Sequence, residues 1–477
     1  MKKTRASWSG QLAFILAAAA SAIGLGNLWR FPYLAAQYGG GTFIVVYLAL
    51  TVTLGFTLML TEIAIGRMTA QSQLTAYARL HGKWGILGLL GTLIPLLITP
   101  YYCVIGGWVL KYFTAYVQMV VSGEASMGLA TESAQFFSAF ISAPFAPFGY
   151  GILFVLACAI VIGLGVKNGI ERSNLVMMPI LFLMALAISI YVVCLPGTAE
   201  GLRYYLVPNL DCLRDASGTF SVALLGKTIL GAMGQMFYSL SLAMGIMITY
   251  GSYMKRTDSI ERCVRRIEIF DTIIALIAGL MIIPVVFMFA VKTGTPVKEA
   301  MNAGPGLMFI TLPKVFATLG AAGPWLGLMF FLLVLFAAAT SAISLFEACV
   351  ASVCDLLRLD RKAATFFTMA VIMFLSTFSA LGYGAWAKVT VFGMAFLDFF
   401  DFITNSVLMP VVAAATCVFV GYVLGPRAVI DECEAHGQAF VSKRLYTAMV
   451  KYFAPVFVIA ILISEICRAL GIGGWSI

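Results

Sequence analysis

Apolar residues in this chain run in blocks far longer than a soluble core helix needs, and charged positions fall mostly between the blocks. About 20 apolar residues cross a bilayer as a helix. Eleven stretches meet that requirement, at roughly 10–36, 41–69, 87–121, 148–166, 170–195, 220–254, 264–292, 323–357, 363–383, 389–424 and 446–470. Several exceed bilayer thickness, so they must tilt, kink or protrude. The pattern predicts an all-α membrane protein of 11 transmembrane helices in one domain, 1–477. Two connecting segments are long. Residues 196–219 are polar, with Pro196, Pro208 and Asp211; residues 293–322 are rich in Gly and Pro and read as short helices broken by turns, a lid over a pore mouth.

Two of the spans are interrupted. Span 1 carries Gly24-Leu25-Gly26-Asn27-Leu28-Trp29-Arg30-Phe31-Pro32 in its middle. Glycine costs about 1 kcal/mol in a helix, and Arg at the bilayer centre costs at least about 2.5 kcal/mol. Non-helical backbone at that depth is tolerated only where it lines a cavity or is buried in protein. Span 6 has a matching break, in which Gly234, Gln235, Ser239, Ser241 and Gly245 interrupt the apolar run. Interrupted spans at equivalent places in two halves point to a transport site. Half-helix N-termini suit a carboxylate, and half-helix C-termini offer carbonyls to Na⁺ or an ammonium. Glycines alone would serve close helix packing equally well; Asn27, Arg30 and the partner break tip the balance towards a site.

Composition narrows the class. Sixty-one per cent of the residues are hydrophobic and 11% charged, against about 25% charged in a soluble domain. Lipid must therefore be the solvent, and a nucleic-acid binder is excluded despite the net charge of +9. Lys and Arg gather in alternate loops (Lys2, Lys3 and Arg5; Arg67 to Lys83; Lys167 and Arg172; Lys255 to Arg266; Arg358 to Lys362; Arg427 to Arg444). By the positive-inside rule these loops and the N-terminus are cytoplasmic, the C-terminal tail lies outside, and the membrane is the cell inner membrane. The first apolar run outlasts a signal peptide and is expected to stay as span 1. The ten cysteines show no metal spacing. His81 and His436 fall in loops, so no zinc site or triad is expected: no catalytic residue and no cofactor, only Na⁺ as coupling ion, two of them expected.

On these residues the chain resembles the neurotransmitter:sodium symporters, in their bacterial amino-acid transporter branch. The carrying motifs are residues 24–33, Gly39-Gly40-Gly41-Thr42-Phe43, Tyr101-Tyr102, Gln235 to Gly245, and Ala337-Ala338-Ala339-Thr340-Ser341. The interrupted-pair rule is itself drawn from this family among others. The resemblance implies a LeuT-type five-plus-five inverted repeat with helices 1 and 6 unwound. Repeat one would cover about 10–195, repeat two about 220–424, and an extra helix about 446–470.

Family roles carry over position by position. The first sodium would be held by Ala22, Asn27, Ser239 and Asp271, and the second by Ala20, Ile23, Ala337, Thr340 and Ser341; hard oxygen ligands suit a hard cation. Thr340 and Ser341 alone would be read as bonding within their own helix. The substrate carboxylate would meet the N–H groups around Leu25 and Gly26 and the Tyr102 hydroxyl. Its ammonium would meet carbonyls at Ala22, Tyr238, Ser239 and Ser241. Its side chain would lie against Ile23, Ile98, Tyr238, Met244, Ser341 and Leu345. Gly24 stands where amine-transporting relatives carry an Asp, so the substrate must bring its own carboxylate.

Asp271 stands where many relatives have Asn, and Ala275 where chloride-dependent ones have Ser. The Asp271 carboxylate would then supply the fixed charge that chloride supplies elsewhere; pairing with an Arg is the alternative. Gates are expected at Arg30–Asp401, with Asp398 as a rival acid, and at Arg5–Asp355, helped by Trp8 and Tyr253. Glu62 is expected to bond the unwound part of span 6. Gly169 and Pro179 would either let span 5 unwind or kink it. The function implied is sodium-coupled symport of neutral L-amino acids, hydrophobic or aromatic ones preferred because Met244 adapts its shape, although Ser241, Ser344 and Tyr238 would equally suit a smaller side chain. It would be chloride-independent. A sodium-dependent sensor or an ion channel on the same scaffold is the alternative, but a channel needs a continuous polar stripe and the polar residues form a compact cluster.

Overall fold

The computed structural model describes residues 6–123, 129, 132–215, 217–301 and 304–469. Among them the fold is helical throughout, and paired backbone outside helices is limited to isolated bridges. Nine helices are long and apolar enough to cross a membrane: Gly41–Thr69, Gly82–Ser122, Ala146–Gly163, Val166–Val193, Ile260–Thr293, Ala322–Leu357, Arg361–Leu381, Phe396–Leu424 and Lys443–Cys467. These are spans 2–5 and 7–11. Span 1 is a bent pair, Gln11–Ala22 and Gly26–Gln37, with 53° between the halves. Span 6 is split into Val222–Ser239 and Ile246–Gly251, so neither piece meets the length and hydropathy that a span requires. Span 10 starts at Phe396 instead of about 389, because residues 382–395 form turns.

Small residues set the packing distances. A side chain at Gly66 would run into the Ile248 carbonyl, and one at Gly251 into Ile63, so spans 2 and 6 touch backbone to backbone. The Gly39-Gly40-Gly41-Thr42 motif has a packing cause. Gly40, at φ +54°, bridges Pro208, and the Thr42 hydroxyl donates to the Asn209 carbonyl at 2.7 Å. The loop after span 5 is thereby pinned over the start of span 2.

The segment before span 8 forms short helices, Leu307–Thr311 and Leu312–Ala317. Phe309 stacks on Phe137 with centroids 5.1 Å apart, and the Tyr112 hydroxyl donates to the Phe309 carbonyl at 2.9 Å. Gly304 and Pro305 reach the mouth of the large cavity described below.

On the opposite, N-terminal side the chain is sealed. Trp8 has no exposed surface, and its indole N–H donates to the Tyr250 carbonyl at 3.1 Å. Beneath it the Tyr253 hydroxyl donates to Glu347, whose carboxylate pairs with Arg361 at 2.5 Å. Glu347 is fully buried and Arg361 is 26% exposed, so the carboxylate depends on this partner. Span 5 is helical from Val166 through Pro179, and the unwinding expected between Gly169 and Pro179 is not present in this structure.

Removing one half of a buried ion pair costs about 3–5 kcal/mol, whereas removing both halves costs far less. Glu347→Gln is therefore expected to lower the melting temperature of the detergent-purified protein. Adding Arg361→Gln is expected to restore part of that loss, so that the double variant falls short of the sum of the singles.

Candidate functional site

The break in span 1 lies at residues 23–25, and Ile23 leaves the helix at ψ 89°. Gly24 and Gly26 are required there by contact. A Cβ on Gly24 would stand 2.6 Å from the Ser341 hydroxyl and 3.0 Å from that of Tyr102, and one on Gly26 would overlap the Tyr238 ring. In span 6, Ser241, Ala243 and Gly245 all adopt positive φ, at 52°, 60° and 73°. For the two non-glycine residues that conformation costs about 1–2 kcal/mol each. It is held from outside: the Ser241 hydroxyl donates to the Ser21 carbonyl at 3.1 Å, and Glu62 accepts the Ala243 N–H at 2.6 Å. The expected bond from Glu62 to the unwound segment is thus present.

Asp271 is fully buried. Asn27 Nδ2 donates to its Oδ1 at 2.8 Å, Ser239 Oγ lies 2.9 and 3.0 Å from its two oxygens, and the Tyr47 hydroxyl donates to Oδ2 at 3.2 Å. No ion pair to Asp271 occurs among the described residues, which sets aside the alternative of an Arg partner. Spans 1, 2, 6 and 7 meet at this one carboxylate. Gln235 closes the group by donating to the Gly26 carbonyl at 3.1 Å.

Among the residues expected for a second cation, Ser341 approaches Ile23 and Thr340 approaches Ala337. Ser341 Oγ donates to the Ser21 carbonyl at 3.1 Å and lies 3.5 Å from the Ile23 carbonyl. Thr340 Oγ1 lies 3.0 and 3.1 Å from the carbonyls of Phe336 and Ala337, the bonding within its helix that its position also allowed. Ala20 is buried one turn before Ile23.

Between the two groups lies a small cavity of about 20 Å³. Ala22, Gly24, Gly26, Ile98, Tyr102, Tyr238, Ser241, Met244, Ser341 and Leu345 line it, together with Ser21, Asn27 and Ile246. Ile23, Leu25 and Ser239, also expected there, are not among the lining residues, and Leu25 donates its N–H to the Tyr102 hydroxyl at 3.3 Å. Ser21 and Ile246 carry no signal in the sequence that separates them from ordinary helix packing.

A second cavity, about 630 Å³, opens on the side away from Trp8. Tyr238 lines both cavities and forms the wall between them. Arg30 lies over that wall, its guanidinium carbon 5.6 Å from the ring centroid. Arg30, Asp398 and Asp401 all face this cavity, but the expected Arg30–Asp401 ion pair is not formed. Asp401 instead accepts from Tyr101 at 3.0 Å and Asn405 at 2.6 Å, and Asp398 accepts from Tyr383 at 3.0 Å. The cavity lies open between the charges, so each finds a nearer neutral partner. On the other side Asp355 accepts the Ser72 N–H at 2.7 Å; Arg5 lies outside the described residues. Glu465 of span 11, bonded to Ser406 at 2.8 Å, also borders the large cavity. As an acid inside an apolar run it carried a readable signal that the sequence reading passed over.

The chain matches known proteins over nearly its whole length. A family model described as "Sodium:neurotransmitter symporter family" matches residues 5–128 and 150–473. An uncharacterized sodium-dependent transporter of Haemophilus influenzae is 31% identical over 475 residues, 97% of this chain and 99% of its own length. The uncharacterized sodium-dependent transporter YhdH of Bacillus subtilis is 32% identical over 464 residues, 96% of this chain and 97% of its own. The crystal structure of MhsT in complex with L-phenylalanine superposes with a TM-score of 0.83 at 33% identity, covering 97% of this chain and all of that one.

A broken-helix membrane fold around a buried carboxylate is thus the frame of a transporter, not of an enzyme. The chain belongs to the sodium:neurotransmitter symporter family and is a sodium-dependent transporter.

Overpacking a tight contact costs about 1–3 kcal/mol. Gly26→Ala, which drives a methyl into Tyr238, is expected to lower the thermal stability of the purified protein by that order. Gly149→Ala, where nothing lies within 4 Å of the new methyl, is expected to leave it unchanged.

Proposed function

We propose that this protein is a sodium-coupled symporter of neutral L-amino acids, preferring hydrophobic or aromatic ones, that works by alternating access without chloride. The observation that carries the proposal is the lining of the small cavity. Ten of the thirteen positions expected to meet the substrate line it. Gly24 leaves no room there for an acid of the protein's own. MhsT, of the same fold, is known in complex with L-phenylalanine.

On this reading Asn27, Ser239, Asp271 and the Ala22 carbonyl hold one Na⁺. Carbonyls of Ala20, Ile23 and Ala337 with the hydroxyls of Thr340 and Ser341 hold the other. The substrate carboxylate takes the N–H groups at Leu25 and Gly26, and its ammonium the carbonyls at Tyr238 and Ser239. Asp271 keeps the negative charge that two cations and a zwitterion need in a medium of low dielectric. Arg30 and Asp401 close the large cavity when they approach, and Arg5 with Asp355 closes the other side. The two repeats, about 10–195 and 220–424, rock about this site, with the helix at about 446–470 outside them. The N-terminal side is cytoplasmic in a cell inner membrane, as the loop charges indicate.

Proteoliposomes given labelled L-phenylalanine are expected to accumulate it under an inward Na⁺ gradient and not without one. A sensor gives no accumulation, and a channel gives no dependence on the Na⁺ gradient. Replacing chloride by gluconate is expected to leave uptake unchanged; loss of uptake would refute the role given to Asp271. Asp271→Asn removes a charged ligand, an interaction of about 1.5–3 kcal/mol, and is expected to weaken Na⁺-dependent uptake about tenfold or more. Competition by the common amino acids is expected to rank Phe, Trp, Tyr and Leu above Gly and Ser.

A further inference from the structure

The turn of span 6 is gripped on its far side by two buried oxygens that the cation and substrate groups do not use. Glu62, on span 2, is 5% exposed. Its Oε1 accepts the Ala243 N–H at 2.6 Å, while its Oε2 is buried and receives no hydrogen bond. Gln73 opens the short helix Gln73–Leu80 that follows span 2, and is 2% exposed. Its Oε1 is also buried without a donor. That oxygen is pressed against Gly245, where a Cβ would overlap it. Two orphan acceptors therefore flank the same three residues, 243–245.

No ion pair reaches Glu62 among the described residues. The titratable groups that face it from the packed elements are Tyr77, on the Gln73–Leu80 helix, and Cys417, on span 10. Neither brings a positive charge, and the Tyr77 hydroxyl pairs with Thr416 at 2.8 Å. A carboxylate cut off from water with no counter-charge takes up a proton instead. The neutral acid has one donor and keeps a carbonyl acceptor. The carbonyl oxygen is then Oε1, which already accepts from Ala243. The hydroxyl is Oε2, and the acceptor lacking a donor is Gln73 Oε1.

We infer that Glu62 is a proton-binding site: in this conformation it carries a proton and donates it to Gln73 Oε1, so that a shared proton clasps the span 6 turn. One proton satisfies both orphan oxygens. The turn also carries Ser241 and Met244 of the small cavity. A shift of the turn away from span 2 parts the acid from its acceptor, so the proton is tied to the position of the turn.

The test is infrared difference spectroscopy on the purified full-length protein at neutral pH, native minus Glu62→Gln. The amide of Glu62→Gln keeps both a carbonyl for Ala243 and a donor for Gln73, so the variant is expected to fold. The expected difference is the carbonyl-stretch band of a protonated carboxyl group, present in the native protein and absent in the variant. Gln73→Leu is expected to move that band to higher wavenumber, as its hydrogen bond is lost. A native-minus-variant difference that shows carboxylate bands instead would overturn the proposal. Should Glu62→Gln fail to fold, Gln73→Leu decides alone: a shifted band supports the shared proton, and an unmoved one overturns it. The readout needs neither substrate nor transport, so it stands apart from the outcome of the uptake experiments.

Discussion

Asp271 is a carboxylate sunk out of contact with water, ringed by neutral donors from three other helices and by no basic side chain. A charge so placed is costly unless an opposite charge joins it. The surrounding geometry answers that need with polar groups from the broken helices: Asn27 beside the break in span 1 and Ser239 at the end of the first half of span 6 both bond the carboxylate. The breaks and the charge therefore depend on each other. Unwound backbone in a membrane needs polar company, and the carboxylate needs donors that only unwound or cut helices can bring so close. On the proposed reading, the opposite charge is a small hard cation.

Much of this was legible in the sequence because the cost of a break is local. Gly24, Gly26, Asn27 and Arg30 stand within seven residues of an otherwise apolar span, and the structure gives each glycine a contact that forbids a side chain. The Gly39–Gly41 motif stood out as a glycine run, but its cause is distant, a turn pinned by Pro208 and Asn209, with Thr42 and Asn209 167 residues apart. Span 6 was legible only in part. Gly245 signals a left-handed residue, but Ser241 and Ala243 adopt the same conformation with side chains that normally avoid it. Their strain is borne by Ser21 and Glu62, more than 170 residues away in sequence. No local pattern encodes that.

Partners of charged groups were the least legible feature. The sequence offered Arg30 to Asp401, yet tyrosines and an asparagine hold the acids in this structure. Conversely, the pair that is formed around a fully buried acid, Glu347 with Arg361, gave no sign beyond being an acid and a base in neighbouring spans. The difference is physical. A fixed pair must be short and shielded to repay its desolvation, whereas a pair that opens and closes has to be replaceable by neutral donors of nearly equal worth. Sequence shows which residues carry charge but not which of these two conditions they meet.

Tyr102 and Tyr238 join the site to its access route. Tyr238 is at once the wall of the 630 Å³ cavity and the roof of the 20 Å³ one. Tyr102 lies below it, with its hydroxyl taking the Leu25 N–H, the same group assigned above to a substrate carboxylate. A phenol can accept one hydrogen bond and donate another. On the proposed reading, Tyr102 can therefore keep Leu25 and donate its own proton to a substrate carboxylate, or yield Leu25 to it altogether. In both cases the Leu25 N–H keeps a partner. The small cavity has room for about one water molecule, and Tyr238 is the residue of its lining that also borders the large cavity, whereas the opposite side is sealed by Trp8 and the hydrogen-bonded chain beneath it. The asymmetry between a sealed side and a single aromatic wall thus places the small cavity next to the large one and away from the Trp8 side.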